Sequence, residues 1–400
     1  MKLFRFELRK LLLNKRTLII SAVLLVLYCV VGFGLSISSF GGLANYSTYN
    51  ELANAVSGPY NAEQAELSNI AYDTAKERWG TDEGVSKMSS QDPQLKFDKA
   101  YHDYATTVDE YWNGPVSGQD MDNITGIYPL KEQLAELEMA GATDTYDYER
   151  YSSQLETELA AGEPEFQNVA LWESLFGVWG GIMAVILLFF PISFIIAPVF
   201  TSENTTGMDN IILSSKKGQG QIVAAKVGAV SVTCAITAFL YFAGTFIGTF
   251  LPFGTLAGAG TAIRSVGSLT ASQISMSIGS FAALTVVWTI FVAIVYGAVL
   301  TLISSKLKSQ TATFGIGIVI LLGNVMISAL GTTVNDALSI FTDFGFLNTA
   351  NASAIFGGLT TFNVFGSVVP YYIMALFVLL AAGAIALLGI RFSQKHRTVA

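Results

Sequence analysis

The chain has 400 residues, of which 52% are hydrophobic and only 13% are charged, and its mean hydropathy is +0.51. Soluble domains carry roughly 25% charged residues, so this composition excludes an ordinary soluble protein and indicates a polytopic membrane protein. Both cysteines, Cys29 and Cys234, fall inside apolar runs. The sequence therefore indicates neither a disulfide framework nor a cysteine metal site.

Residues 2–16 have the pattern of an amphipathic helix, with apolar side chains at helical spacing on one face. Such a helix lies in the headgroup plane of a bilayer, with its cations near anionic lipid. The basic residues of this predicted interfacial helix are Arg5, Arg9, Lys10, Lys15 and Arg16. A signal-peptide start is the alternative, but the apolar run 17–35 is long for a signal core. We therefore assign residues 1–35 to the interfacial helix and a first transmembrane helix.

Residues 36–173 form a polar segment with 25 Asp or Glu against 7 Lys or Arg, a net charge of −18. Aromatic and apolar residues recur at helical spacing, as in the stripe from Phe97 to Trp112, which predicts the packing faces of a small helical domain. Roughly 138 residues are enough for a core of its own. We call residues 36–173 the polar domain.

Residues 174–400 hold further apolar runs, each close to the ~20 residues that a helix needs to cross a bilayer. The predicted fold is all-α and polytopic, with six spans near 17–35, 176–200, 222–251, 281–303, 311–331 and 370–390. Basic residues mark the cytoplasmic side of short loops. That rule places both termini and the loop 201–220 in the cytoplasm. It places the polar domain and the loops 252–280 and 332–369 outside.

The spans are almost free of ionisable groups, and Lys226 is the one exception in the predicted ranges. Ion-coupled carriers and intramembrane proteases need charged or catalytic groups at depth, so we predict no catalytic and no metal site. No Gly-Lys dipeptide occurs, which excludes a phosphate-binding loop of the Gly-x-x-x-x-Gly-Lys type. The chain is predicted not to be an enzyme, and to hold no cofactor of its own.

The loop 201–220 has the Ser/Thr-x-x-Asp spacing of a helix-capping box at Thr206 and Asp209. A short helix with an apolar contact face and a basic end is predicted there. A solvated connector, whose lysines only fix the topology, is the alternative. The residues proposed to contact a partner are Glu203, Gly207, Met208, Asp209, Ile211, Ile212, Leu213, Lys216 and Lys217.

The order of these features resembles a type-2 ABC-transporter permease of a bacterial exporter. The basic start, one span, a large outer domain and five more spans match that layout. The most specific similarity is carried by Phe200, Glu203, Gly207, Leu213-Ser214-Ser215 and Lys226. The proline that usually follows the Leu-Ser turn is absent, and Lys216 stands near that place. The polar domain lies outside the resemblance.

The resemblance implies a half-transporter in the bacterial cell membrane. Two permease copies, or this chain and a homologous permease, would work with two cytoplasmic ATPase subunits that bind ATP and Mg. The loop 201–220 would be the coupling helix that docks on the ATPase. The uncharged spans suit an amphiphilic, lipid-like or peptide cargo, and nucleic acid is not expected as a partner. The competing hypothesis is a membrane-anchored receptor or sensor that binds a ligand through the polar domain, although one span would suffice for it.

Substitution of Glu203 or Asp209 is expected to abolish transport while leaving membrane insertion intact, because the docking loop would lose its contact with the ATPase. A transport assay on proteoliposomes, with insertion checked separately, measures both. Normal transport in both variants would contradict a docking role.

Overall fold

The computed structural model describes residues 2–109, 126–162, 165–206, 218–269, 272, 274–328, 342–358 and 360–395. Its first two helices are α1 (Lys2–Leu12) and α2 (Lys15–Ser38). The polar domain holds α3 (Leu43–Ala55), α4 (Ala62–Trp79), α5 (Asp82–Ser89), α6 (Pro93–Thr106), α7 (Ile127–Met139) and α8 (Tyr146–Ala161).

The remaining elements build the apolar part of the fold. They are α9 (Ala170–Trp179), α10 (Gly181–Ala184), a π-helical segment (Val185–Phe189), α11 (Phe190–Ile196), α12 (Pro198–Thr206), α13 (Gly218–Phe253), two 3₁₀ turns (Ile263–Ser265 and Gly267–Leu269), α14 (Ile278–Lys306), α15 (Gln310–Ser328), α16 (Phe346–Ala350), α17 (Ala352–Gly357), β1 (Thr361–Val364), β2 (Ser367–Pro370) and α18 (Tyr371–Lys395).

Five helical stretches in the described part of the chain are long and apolar enough to cross a membrane. They are Thr17–Ser38, Ile182–Glu203, Gly220–Phe253, Ile278–Lys306 and Tyr371–Gln394. The predicted span near 311–331 corresponds to α15, in which Gln310–Gly323 forms a shorter apolar helix. The helix bundle agrees with the predicted class of polytopic membrane protein.

The described part of the chain is helical apart from one short β-hairpin. Strands β1 and β2 pair antiparallel, with Phe362 opposite Val369 and Val364 opposite Ser367. The turn between them, Phe365-Gly366, has φ values of 54° and 93°. The glycine in the turn and the β-branched residues Val368 and Val369 after it favour a hairpin here.

The second span is not a continuous helix. It consists of α9 to α12 with a π-helical segment, and Pro191 and Pro198 lie near the start of α11 and of α12. Proline removes a backbone donor, and irregular backbone at membrane depth needs partners from neighbouring helices. Those partners are Tyr28, whose hydroxyl donates to Leu187 O at 2.5 Å, Tyr241, which donates to Val178 O at 2.5 Å, and Ser304, which donates to Ala197 O at 3.0 Å.

Helices α2 and α13 pack closely through glycines. A Cβ atom built on Gly248 would lie 2.1 Å from the carbonyl oxygen of Cys29, and one on Gly244 would lie 2.7 Å from Cβ of Tyr28. On the other helix, a Cβ on Gly32 would lie 2.6 Å from Thr245 O. Small residues allow such close backbone approach in membrane helices. The first and third spans therefore form a tightly packed pair.

The polar domain packs on the opposite end of the bundle from α1. Phe97, Tyr101, Ala105 and Val108 are buried, as the predicted stripe requires, and Tyr111 and Trp112 lie outside the described residues. Glu158 of α8 forms an ion pair with Arg264 of the connection between α13 and α14. Burial raises the pKa of the Glu158 carboxyl, and the neighbouring Arg264 partly offsets that rise. This pair holds the domain to the bundle.

We expect G248A to destabilise the protein by about 1–3 kcal/mol, because the added methyl group cannot enter the α2–α13 contact without moving backbone. Thermal unfolding in detergent measures the change. The matched control is G315A in α15, where a Cβ atom meets nothing within 4 Å. Alanine should be neutral or slightly stabilising there because it is the better helix former. Equal melting temperatures for both variants would contradict the packing argument.

Candidate functional site

A buried lysine lies at the end of the bundle that carries α1. Lys226, in the second turn of the third span, has a side chain that is 1% exposed. Its ammonium donates to Val199 O and to Glu203 Oε1, both at 2.7 Å. It also lies 4.8 Å from the ring centroid of Phe200, a cation–π distance. A charge buried in an apolar bundle persists only when it is paired and hydrogen-bonded, and Lys226 meets both conditions.

The carboxylate that pairs with Lys226 belongs to the last turns of the second span. Glu203 sits in α12 and its side chain is 10% exposed. Helix α12 begins at Pro198 and follows α11 directly, and contacts with neighbouring helices add to the support it has from α11. Ser304 of α14 supplies two of them, since its hydroxyl donates to Ala197 O at 3.0 Å and accepts from Phe200 N at 3.1 Å. The second span is thereby braced against the fourth at the point where Glu203 turns towards Lys226.

Helix α1 contributes a second pair of charges to the same place. Lys10 Nζ donates to Glu203 Oε1 at 3.0 Å, and Glu7 Oε2 lies 3.8 Å from Lys226 Nζ. The apolar face of α1 packs on the bundle: Leu11 is buried, and a Cβ on Gly228 of α13 would meet the Phe4 ring at 3.2 Å. Ionic and apolar contacts therefore fix α1 across the start of the third span.

We name the four charged residues Glu7, Lys10, Glu203 and Lys226 the charge junction. Its two cations and two anions sum to zero, so the low-dielectric surroundings hold no uncompensated charge. The charge junction joins three helices. Helices α12 and α13 come directly before and after the connection between the second and third spans, and α1 lies across them. A force applied to that connection reaches all three helices through these contacts.

The structure gives a mixed outcome for the predicted site residues. Glu203 is part of the charge junction, whereas Gly207, Met208, Asp209, Ile211, Ile212, Leu213, Lys216 and Lys217 lie outside the described residues. Of the predicted interfacial cations, Lys10 joins the junction, while Arg5, Arg9 and Lys15 are exposed. Arg16 belongs to α2, but its side chain is outside the described part. The docking role of the loop stays a prediction.

Sequence reasoning did not assign Glu7 to the site. The sequence did contain a signal for this contact. The first sixteen residues hold one acid, Glu7, beside six basic residues, and Lys226 is the only Asp, Glu, Lys, Arg or His of the predicted spans. A charge inside a predicted span such as Lys226 requires a counter-ion, and an acid on the interfacial helix is a candidate for it. Their proximity in space could not be deduced from one sequence, because they lie on helices far apart in the chain.

The histidine, cysteine and acidic residues of the described part of the chain are of the types that form metal sites. No group of three or more His, Cys, Asp or Glu among them could hold a metal ion. His102 is stacked on Tyr72 with ring centroids 4.0 Å apart, and its Nδ1 lies 2.7 Å from Asn69 Oδ1. That histidine is accounted for by packing within the polar domain.

Comparison with known proteins relates the chain to a described family. A family model described as ABC-2 family transporter protein matches residues 1–395, which includes every member of the charge junction. Searches of curated proteins and of solved structures found no match.

We expect K226M to be more damaging to stability than the double variant K226M/E203Q. The single substitution leaves Glu7 and Glu203 facing Lys10 alone, and an uncompensated buried charge costs about 3–5 kcal/mol. The double variant leaves Glu7 and Lys10, whose charges sum to zero and which lie at i and i+3 on α1, a spacing at which opposite charges can pair. Thermal unfolding of the purified chain in detergent measures both.

A double variant with a melting temperature at or below that of K226M would contradict this account, because two independent losses would then simply add. K308M is the matched control. Lys308 is an exposed lysine in the connection between α14 and α15, so its substitution should leave the melting temperature unchanged.

Proposed function

The chain belongs to the ABC-2 family of transporter proteins, and from this premise we propose that it is the transmembrane subunit of an ATP-driven exporter of amphiphilic, lipid-like or peptide cargo. Members of this family are permease components, and their ATPase domains are separate. ATP and Mg are then bound by cytoplasmic ATPase subunits rather than by this chain. Two permease copies, or this chain with a homologous permease, would enclose the transport pathway.

The observation that carries the proposal is the charge junction. Its residues lie on both sides of the connection that we propose as the ATPase contact, and the same carboxylate, Glu203, binds Lys226 of α13 and Lys10 of α1. ATP-driven movement of that connection is therefore passed to the second span, the third span and α1 together. If the connection were only a solvated loop, no buried lysine would be needed to join the helices before and after it.

The distribution of basic residues supports the proposed sidedness. The end of the bundle with the charge junction also carries the exposed cations Arg5, Arg9, Lys306 and Lys308, which by the positive-inside rule is the cytoplasmic end. The polar domain lies at the other end, outside the cell. With α15 crossing as a sixth span, both termini are cytoplasmic in a multi-pass protein of the bacterial cell membrane.

The lining of the spans supports an amphiphilic cargo. Lys226 is the only Asp, Glu, Lys, Arg or His well within them, and its ammonium is bound by Glu203 and by Val199 O. A small hydrophilic ion would need charged or polar ligands at depth, and the junction leaves none free for that role. Apolar or amphiphilic cargo needs no such ligand.

The double variant K226M/E203Q tests the coupling role while the net charge of the charge junction stays zero. We expect it to insert and assemble with its ATPase, but to show roughly a tenfold or greater loss of ATP-dependent transport, since hydrogen bonds to charged groups contribute about 1.5–3 kcal/mol. Transport and ATP hydrolysis are measured on the same proteoliposomes.

K308M serves as the control and should transport like the wild type. Wild-type coupling in the double variant would show that the junction has no part in transmission. Transport by the purified chain without any ATPase would contradict the whole assignment.

A further inference from the structure

A cavity of about 520 Å³ opens beside the charge junction, between α1, α2, the second span and α15. That volume lies within the ~300–1,000 Å³ of typical small-molecule sites. The cavity has two chemically different regions. One is lined by polar side chains such as Lys10, Asn14 and Thr17, and the other by apolar ones such as Ile20, Phe194 and Phe314.

Lys10 is the exchangeable member of the junction. Its ammonium and that of Lys226 bind the same oxygen, Glu203 Oε1, at 3.0 and 2.7 Å. The Lys226 side chain is 1% exposed, whereas the Lys10 side chain is 41% exposed and lines the cavity. Two cations on one oxygen repel each other, and Glu203 keeps Lys226 when Lys10 leaves. Lys10 can therefore turn to an anion in the cavity without leaving a buried carboxylate unpaired.

We propose that this cavity binds an anionic membrane lipid, with the phosphate-bearing headgroup on Lys10 and the upper part of an acyl chain against Ile20, Phe194 and Phe314. Charge complementarity selects the headgroup, since Lys10 is a partly exposed cation among the residues that line the cavity. The described residues that line the cavity include one acid, Glu7, whose side chain is 7% exposed and lies 3.8 Å from the Lys226 ammonium.

Lipid binding would also change the junction. A phosphate that takes Lys10 removes one of the two ionic contacts between α1 and the rest of the bundle, and leaves the Glu7–Lys226 contact. The lipid would then loosen α1 from Glu203 and set how firmly α1 follows the second span. This consequence rests on the proposed coupling function, whereas the binding itself does not.

Native mass spectrometry of the purified full chain, titrated with phosphatidylglycerol or phosphatidylcholine, tests the binding. We expect the wild type to prefer phosphatidylglycerol, and K10Q to lose that preference with roughly a tenfold weaker affinity, as expected for a lost charge-assisted hydrogen bond. R9Q is the matched control, because Arg9 is a neighbouring exposed cation outside the cavity lining. It should bind like the wild type.

A second variant, I20W, keeps all charges and fills the apolar region, so it should also weaken phosphatidylglycerol binding. Unchanged binding in K10Q would overturn the proposal. An equal loss in R9Q would overturn it too, because it would reveal general attraction to the basic surface. So would equal binding of glycerol phosphate, which has the headgroup chemistry but no chain. The proposal would also be overturned if the wild-type chain bound no lipid because a second copy of the chain fills the cavity. Because no transport is measured, failure of the proposed function would leave this result standing.

Discussion

The need to pair one buried ammonium decides the architecture at the junction end of the bundle. Lys226 cannot reach water, so a carboxylate and a carbonyl oxygen must come to it. Both are supplied by the second span, at Glu203 and Val199. The position of α12 relative to α13 is thereby fixed by charge rather than by shape. Because Glu203 also accepts from Lys10, the same constraint places α1.

The broken second span makes this constraint useful. Helix α12 follows α11 directly, but Pro191 and Pro198 lack the backbone N–H that would bind a carbonyl oxygen one turn earlier, and a π-helical segment precedes α11. Hydroxyl groups of Tyr28, Tyr241 and Ser304 satisfy carbonyl oxygens along the break. The second span is therefore held by single side-chain hydrogen bonds from three neighbouring helices, α2, α13 and α14. The first and third spans, in contrast, are joined along their backbones by Gly32, Gly244 and Gly248.

The part of the fold that depends on local pattern could be predicted, and the part that depends on distant contacts could not. Apolar runs and the amphipathic start indicated five of the spanning helices and α1, because helix length and periodicity are local properties. Lys226 was conspicuous as an isolated charge. Its contact with Glu7 depends on how α1 folds back over α13, which no spacing encodes. The hairpin around Phe365 was missed because a short apolar run does not distinguish strand from helix.

The central claim is that α1 and the start of the third span move as one body when nucleotide binds the partner ATPases. The most direct measurement is the distance between spin labels at Arg9→Cys and Gly220→Cys, in one labelled copy diluted with unlabelled permease, in the assembled complex with and without trapped ATP. Both positions are exposed. We predict the same distance distribution in the two states. A shift of several ångströms, about the rise of one helical turn, would show that α1 slides over the third span and would contradict the account.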